Sequence, residues 1–370
     1  QALMDLIRAK KLKRRPAKRG LIERIPFLRF IIYRKAKASI LNKTQHHYPA
    51  PIKALDVIKS SYGGSVKKGL EIEFKGVTDL FSSSIPKHLT NLFFAQEHLK
   101  KAGKAQPMSG RSIQQVGICG AGLMGGGIGW WFLDGGSSVR FKDISWDMVR
   151  QGYNAAFKVI QKGVKVKKVP AFKAPLLMDH VSSTLEYNGF EGMDLVVEAV
   201  PENLELKRSV FKDLEAAVSD TTIIASNTSS LSIDDMAQGL QHPERFLGIH
   251  FFSPVQKMPL VEVIPSERTD PKVVGDVCNM VLKNKKFPVI VKNCPGFLIN
   301  RILLPYVNEA VQLVLQGFKV DDIDKIATDF GMPLGPLALA DEVGLDVGYK
   351  VLNILYEGYG ERMAIPHTFR

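Results

Sequence analysis

No apolar run in the sequence approaches the roughly 18 residues that a membrane-spanning helix needs, and the opening residues show no signal-peptide pattern. Cysteine is scarce. The three present, Cys119, Cys278 and Cys294, lie far apart without CxxC spacing or surrounding histidines, which excludes a disulfide framework and a zinc site. Internal repeats and low-complexity segments are also missing. Nothing aromatic-interleaved or zinc-type accompanies the basic residues, so nucleic acid is not an expected partner. These absences lead to the expectation of a soluble globular protein of a reducing compartment, cytoplasmic rather than mitochondrial. The chain opens on Gln rather than Met, which is read as a sign of a fragment cut from a longer protein.

What is present is 370 residues, 45% of them hydrophobic, enough for two or three buried cores. The net charge of +13 is unevenly spread: residues 1–112 hold 24 Lys/Arg against 7 Asp/Glu, the rest 26 against 30. All the basic excess is therefore N-terminal, densest from Lys10 to Arg19 (KKLKRRPAKR). Such a run is a solvated helix face or an attractor of anionic partners.

Residues 1–97 show apolar positions at helical spacing, with Ile52, Leu55 and Ile58 before a Gly63-Gly64 break and Leu89, Leu92 and Phe93 near the end. The stretch Ile25 to Ile40 is apolar and basic together. It is expected to pack on its own missing domain or, alternatively, to lie on a membrane surface or a partner. Residues 98–112, polar and containing Lys, Gly and Pro, are expected to form a linker. From 113 to 295, strand-like runs (115–118, 138–141, 195–197, 222–225, 247–249) alternate with helix-like ones, predicting a doubly wound, mostly parallel sheet of Rossmann type. Residues 296–370 predict an all-α domain, with Leu303, Val307, Ala310, Val311 and Leu315 on one stripe.

Gly120-Ala121-Gly122-Leu123-Met124-Gly125 is a GxGxxG placed between a strand-like run and an apolar helical run. Its glycines suit a tight turn, a close approach to pyrophosphate, and close helix–strand packing. Eighteen residues after Gly125, Asp143 ends the second strand-like run, where a carboxylate can accept from both adenosine ribose hydroxyls and repel a 2′-phosphate. NAD is the cofactor this constellation predicts.

Oxidising a secondary alcohol with NAD needs a base for the hydroxyl proton, and imidazole suits that near neutral pH. His250 is the candidate. If the runs around 248–252 and 260–263 fold back about Gln256, His250 and Glu262 face one another six residues from the bend. Glu262 then orients the ring, as in a catalytic triad. By spacing alone, a structural histidine with a hydrogen-bonded partner remains an open alternative.

Asn227-Thr228-Ser229-Ser230-Leu231, His250-Phe251-Phe252-Ser253-Pro254, Pro259-Leu260-Val261-Glu262-Val263 and Pro295-Gly296-Phe297-Leu298-Ile299-Asn300-Arg301 together resemble the signature series of 3-hydroxyacyl-CoA dehydrogenases. The resemblance implies that His250 is the base and Glu262 its orienter, while Ser229 and Asn300 bind the substrate's 3-oxygen and nearby carbonyl. It implies cofactor contacts at Met124, Asp143, Val200, Pro201, Glu202, Lys207 and Ser253, and Gly120, Gly122, Leu123, Gly125 and Ser229 are further expected cofactor contacts. Many members carry Asn where this chain has Ser253. Lys158, Lys162, Lys165, Lys167 and Lys168 are placed to meet CoA phosphates or to form a solvated face.

His47 to Ile52 and the helices after it resemble the C-terminal end of the enoyl-CoA hydratase domain in multifunctional fatty-acid oxidation α subunits. Leu334 to Asp346 is similar to their first C-terminal helical domain. The hydratase's catalytic glutamates belong to an earlier region, so no hydratase site is expected here. The resemblance implies oxidation of (3S)-3-hydroxyacyl-CoA with NAD, an acyl-CoA substrate and a thiolase β subunit as partner. Two rival readings stay open: an NAD-binding scaffold that docks thiolase without turnover, and a dehydrogenase of a small hydroxy acid. Asp143→Ala is expected to weaken NAD binding and relax discrimination against NADP; calorimetry showing both affinities unchanged would remove Asp143 from this role.

Overall fold

The computed structural model describes residues 25–363, so the basic run Lys10–Arg19 and the last seven residues lie outside the described part. The chain divides into two units, residues 1–92 and 93–370. In the first, α1 (Pro26–Thr44), α2 (Pro49–Ser61) and α3 (Val66–Phe81) follow in order, and α4 (Ile85–Lys104) begins there. Proline at N1 or N2 opens α1 and α2, where a missing N–H costs nothing. Helical spacing does not mean burial here. Phe27, Phe30, Ile32, Ile58, Leu89 and Phe93 are all exposed. Because α4 runs on to Lys104, the first residues of the expected 98–112 linker are helical. The remainder is tethered within the second unit, Ser109 N donating to Asp276 at 3.0 Å and the Arg111 guanidinium to Thr221 O.

The second unit is built on an eight-stranded sheet: β1 (Gln115–Cys119), β2 (Ser138–Lys142), β3 (Val181–Thr184), β4 (Leu195–Glu198), β5 (Ile223–Ser226), β6 (Phe246–Phe251), β7 (Leu260–Pro265) and β8 (Phe287–Ile290), ordered 3-2-1-4-5-6-7-8. Only the β6–β7 pair is antiparallel. Helices α5 (Leu123–Asp134), α6 (Trp146–Lys165), α7 (Lys173–Met178), α8 (Leu204–Ala217), α9 (Ile233–Ala237) and α10 (Pro271–Lys283) flank it. Side chains on polar residues stop the orphan N–H groups at their starts: Ser145 caps α6, Asn203 caps α8 and Asp270 caps α10.

Both sheet faces are covered, as a parallel sheet requires. Leu195 and Val197 of β4 enter a core with Ile118, Phe132, Phe141 and Val277, while Val196 between them enters another with Phe211, Leu214, Ile224 and Phe246. The sequence reading missed β3 and β8, the two edge strands. The first, VSST, lacks an apolar run; the second contains Pro288, which an edge tolerates because one side of its backbone has no ladder partner.

Beyond the sheet, α11 (Ile299–Leu315), α12 (Val320–Phe330), α13 (Pro336–Val343) and α14 (Leu345–Tyr359) form the expected helical part. The predicted stripe on α11 is only half realised. Val307 and Ala310 are buried, whereas Leu315 is 48% exposed.

Reversal of strand order between β1's neighbours β2 and β4 opens a crevice at the strands' carboxyl ends. Two glycines set its shape. Gly120 has φ 96, and a Cβ there would lie 2.5 Å from Ala199 O; one on Gly125 would lie 1.9 Å from Gly120 O. Gly125→Ala is expected to cost about 1–3 kcal/mol or more through overpacking, read from the urea midpoint; an unchanged midpoint would show that the loop has room.

Candidate active site

Loops leaving β1, β2, β4 and β5 and the end of β6 gather at one edge of the sheet and carry Gly120, Gly122, Asp143, Val200, Pro201, Glu202, Ser229 and His250. Leu123, Met124 and Gly125 open α5, Lys207 lies in α8, Ser253 follows β6, Glu262 lies on β7 and Asn300 on α11. The strand β6 pairs with β7 so that His250 stands opposite Glu262. Their side chains meet, Nδ1 to Oε2 at 2.7 Å, with the ring 6% exposed and the carboxylate fully buried. The other carboxylate oxygen, Oε1, accepts from Leu298 N (3.0 Å) and Ile299 N (2.9 Å) at the start of α11. Glu262 is thus fixed at both oxygens, and an acceptor on Nδ1 leaves Nε2 as the free nitrogen. Phe252 and Phe297 flank the ring, centroids 4.5 and 6.0 Å away.

Asn300, one residue into the same helix, donates Nδ2 to Ser229 O at 2.9 Å, bringing the two expected substrate-binding residues together. Asn227 Oδ1 accepts from Phe251 N at 2.9 Å and so ties the loop after β5 to the strand that carries His250. That tie was not anticipated from the sequence.

Glu202 clamps the same loop. Its Oε1 accepts from Thr228 Oγ1 (2.7 Å), Ser229 N (2.9 Å) and Ser229 Oγ (3.1 Å). Burial works to raise its pKa, but Lys207 and the Thr228 and Ser229 donors outweigh burial and hold the carboxyl below the usual range. Lys207 is 1% exposed, its Nζ 2.6 Å from Glu198 Oε1 and 3.4 Å from Glu202 Oε2. It also donates to Val200 O at 3.3 Å. Of the expected cofactor residues Val200, Pro201, Glu202 and Lys207, the lysine sits deepest, beneath the loop that carries the other three.

The glycine loop fits a dinucleotide phosphate. Gly122 precedes the first residue of α5, and a Cβ added there would meet nothing within 4 Å, so an anion has open approach to the helix start. Asp143, just past β2, accepts from Ala121 N (2.6 Å) and Ile144 N (2.7 Å), fastening the loop to the strand end. Carboxylate oxygens retain further lone pairs for ribose hydroxyls.

Ser253 is exposed on the β6–β7 turn, ahead of a cis bond to Pro254. With Leu123, Met124, Gly127, Lys158 and Val255 it lines a cavity of about 440 Å³. Lys286, 7% exposed, holds this turn by donating to Val255 O (2.6 Å) and Met258 O; burial lowers its pKa to about 8. Lys158, Lys162, Lys165, Lys167 and Lys168 are all exposed, and only Lys158 reaches the cavity. No group of three or more potential metal ligands occurs among the described residues, and no described helix is long and apolar enough to cross a membrane.

Residues 115–294 match the family model for the 3-hydroxyacyl-CoA dehydrogenase NAD binding domain, and residues 296–369 that for the 3-hydroxyacyl-CoA dehydrogenase C-terminal domain. The chain belongs to the 3-hydroxyacyl-CoA dehydrogenase family. It is 40% identical over 374 residues to the fatty acid oxidation complex subunit alpha of Shewanella amazonensis, covering 99% of this chain and 52% of that protein. The Shewanella loihica subunit is 41% identical over 96% of this chain and 51% of its own length. The chain thus spans about half the length of the curated relatives it matches. Among solved structures, (S)-3-hydroxybutyryl-CoA dehydrogenase from Ralstonia eutropha aligns with a TM-score of 0.65 and 36% identity over 68% of this chain and 90% of that one. FadB2 from M. tuberculosis aligns at 0.67 and 31%, over 70% and 93%.

Within this dehydrogenase fold, Glu198 and Lys286 were missed from sequence, and Asn227 was placed in a motif without a role. Glu198 left a readable trace, a charge closing the apolar run Leu195-Val196-Val197. Because the Glu202 carboxyl is held below its ordinary value of 4.5 in the fold, it adds stability above that pH which is lost as pH falls through the folded value. Glu202→Gln is therefore expected to be less stable than the native chain at neutral pH, the gap closing in acid; a gap that stays constant across urea titrations at both pH values would contradict this.

Proposed function

We propose that this chain oxidises (3S)-3-hydroxyacyl-CoA to 3-oxoacyl-CoA in fatty-acid β-oxidation, with NAD as acceptor. The observation that carries the reading is the buried His250–Glu262 pair at the carboxyl edge of a sheet whose first turn fits a dinucleotide. Bound NAD supplies the hydride-accepting ring. His250, its Nδ1–H directed at Glu262, takes the substrate's hydroxyl proton on Nε2. Glu262 fixes the ring and stabilises the imidazolium that results. Ser229 and Asn300, already linked to each other, hold the 3-oxygen and its neighbouring carbonyl. Cofactor contacts fall to the glycine loop with Leu123 and Met124, to Asp143, to Val200, Pro201 and Glu202 with Lys207 below them, and to Ser253.

In this reading residues 1–97 are the end of an enoyl-CoA hydratase domain, 98–112 a linker, 113–295 the cofactor domain and 296–370 the start of the helical portion. The longer protein would work in the cytoplasm with a thiolase β subunit. Relatives named as alpha subunits of a complex support a multi-subunit setting. The exposed apolar residues of α1, within the 25–40 stretch, are assigned to contacts of that longer protein or to a membrane surface.

Mixing the chain with NAD and (3S)-3-hydroxybutyryl-CoA should produce NADH absorbance, with little from the (3R) isomer or the free acid. His250→Gln should lower turnover by about 10² or more. Near-normal turnover in that variant, or preference for the free acid, would overturn the assignment.

A further inference from the structure

Glu198 closes β4, is fully buried, and has no part in the proton transfer. A buried carboxylate without partners would be costly, yet every group that touches this one donates to it. Lys207 Nζ (2.6 Å) and Val200 N (2.7 Å) reach Oε1, and Ser226 Oγ (2.6 Å) reaches Oε2. Ser226 Oγ in turn accepts from Thr228 N at 3.2 Å. Two carboxylates therefore compete for one ammonium. Glu198 takes the short contact, and Glu202 is left at 3.4 Å. Glu202 turns only Oε2 toward the ammonium, and its Oε1 accepts from Thr228 and Ser229.

We propose that Glu198 is a positioning residue for the dehydrogenase reaction: by taking the short contact to Lys207, it keeps the ammonium from closing on Glu202 Oε2 and leaves that carboxylate free to shape the Ser229 loop and to accept cofactor ribose hydroxyls. This rests on the dehydrogenase reading above. Without the Glu198 charge, the only anion within reach of Lys207 in this cluster is Glu202. The ammonium then closes on its Oε2, occupies an oxygen otherwise open to the cofactor, and pulls the carboxylate away from the Ser229 donors on Oε1. Ordinary structural support predicts no such dependence on Glu202, because loosening of the core acts on any residue nearby.

The test is a double-mutant cycle on the full chain, with NADH affinity read by fluorescence titration and the unfolding temperature measured alongside. Glu198→Gln, which keeps the shape and removes the charge, should raise the NADH Kd about tenfold. Glu202→Gln should raise it comparably, and the double variant should be no worse than Glu202→Gln alone, since both act through one carboxylate. Ser226→Ala, which removes the Oε2 donor together with the acceptor of Thr228 N, should raise it about threefold and serves if Glu198→Gln fails to fold. Additive losses in the double variant, or an unchanged Kd in Glu198→Gln or in Ser226→Ala, would overturn the proposal. A native chain that binds no NADH would instead overturn the dehydrogenase reading itself.

Discussion

The Glu262 carboxylate joins the parts on which the chemistry depends. One oxygen holds the His250 ring, and the other takes two backbone N–H groups at the start of α11. Full burial would make an isolated carboxylate expensive, and three donors together with a helix N-terminus offset that cost. Sheet and helical segment are therefore coupled at one side chain. The backbone leading into it is bent for this purpose: Gly296 and the buried Phe297 both have positive φ, 71 and 48, and Phe297 accepts the left-handed strain that non-glycine residues avoid. Asn300 follows two residues after the first of those donors, so the turn that serves Glu262 also delivers Asn300 to Ser229.

The same economy marks the other side of the crevice. Parallel strands place all their following loops at one edge, and switching direction between β1 and β4 leaves that edge open. Glu198, Lys207, Glu202 and the Thr228–Ser230 loop then form one continuous network across the ends of β4 and β5. Buried charge at this density is poor evidence of stabilisation, because desolvation cancels much of the Coulomb attraction. Its physical effect is geometric, holding loops with no secondary structure of their own in fixed register.

How much of this could be read from residues alone follows from the range of the interaction. The glycine turn, Asp143 and the central strands are local patterns, and each appears in the structure where the sequence put it. The facing of His250 and Glu262 was readable because a short hairpin makes a long-range contact from local spacing. Edge strands β3 and β8 escaped, one too polar and one interrupted by Pro288, since edges relax the constraints that make central strands legible. Burial of Lys207 and the tie from Asn227 to Phe251 depend on residues meeting across separate loops, which no periodicity encodes. Helical spacing likewise marked α4 and α11 while leaving open which apolar residues are covered, as exposed Phe93 and Leu315 show.

The central claim is that His250 offers a bare Nε2 because Glu262 holds the proton on Nδ1. Nitrogen-15 NMR of ring-labelled histidine, with His250 assigned by its loss in His250→Gln, reads the two nitrogens separately at neutral pH. The account predicts a protonated Nδ1 and an unprotonated Nε2; a proton resident on Nε2 with Nδ1 bare would contradict it.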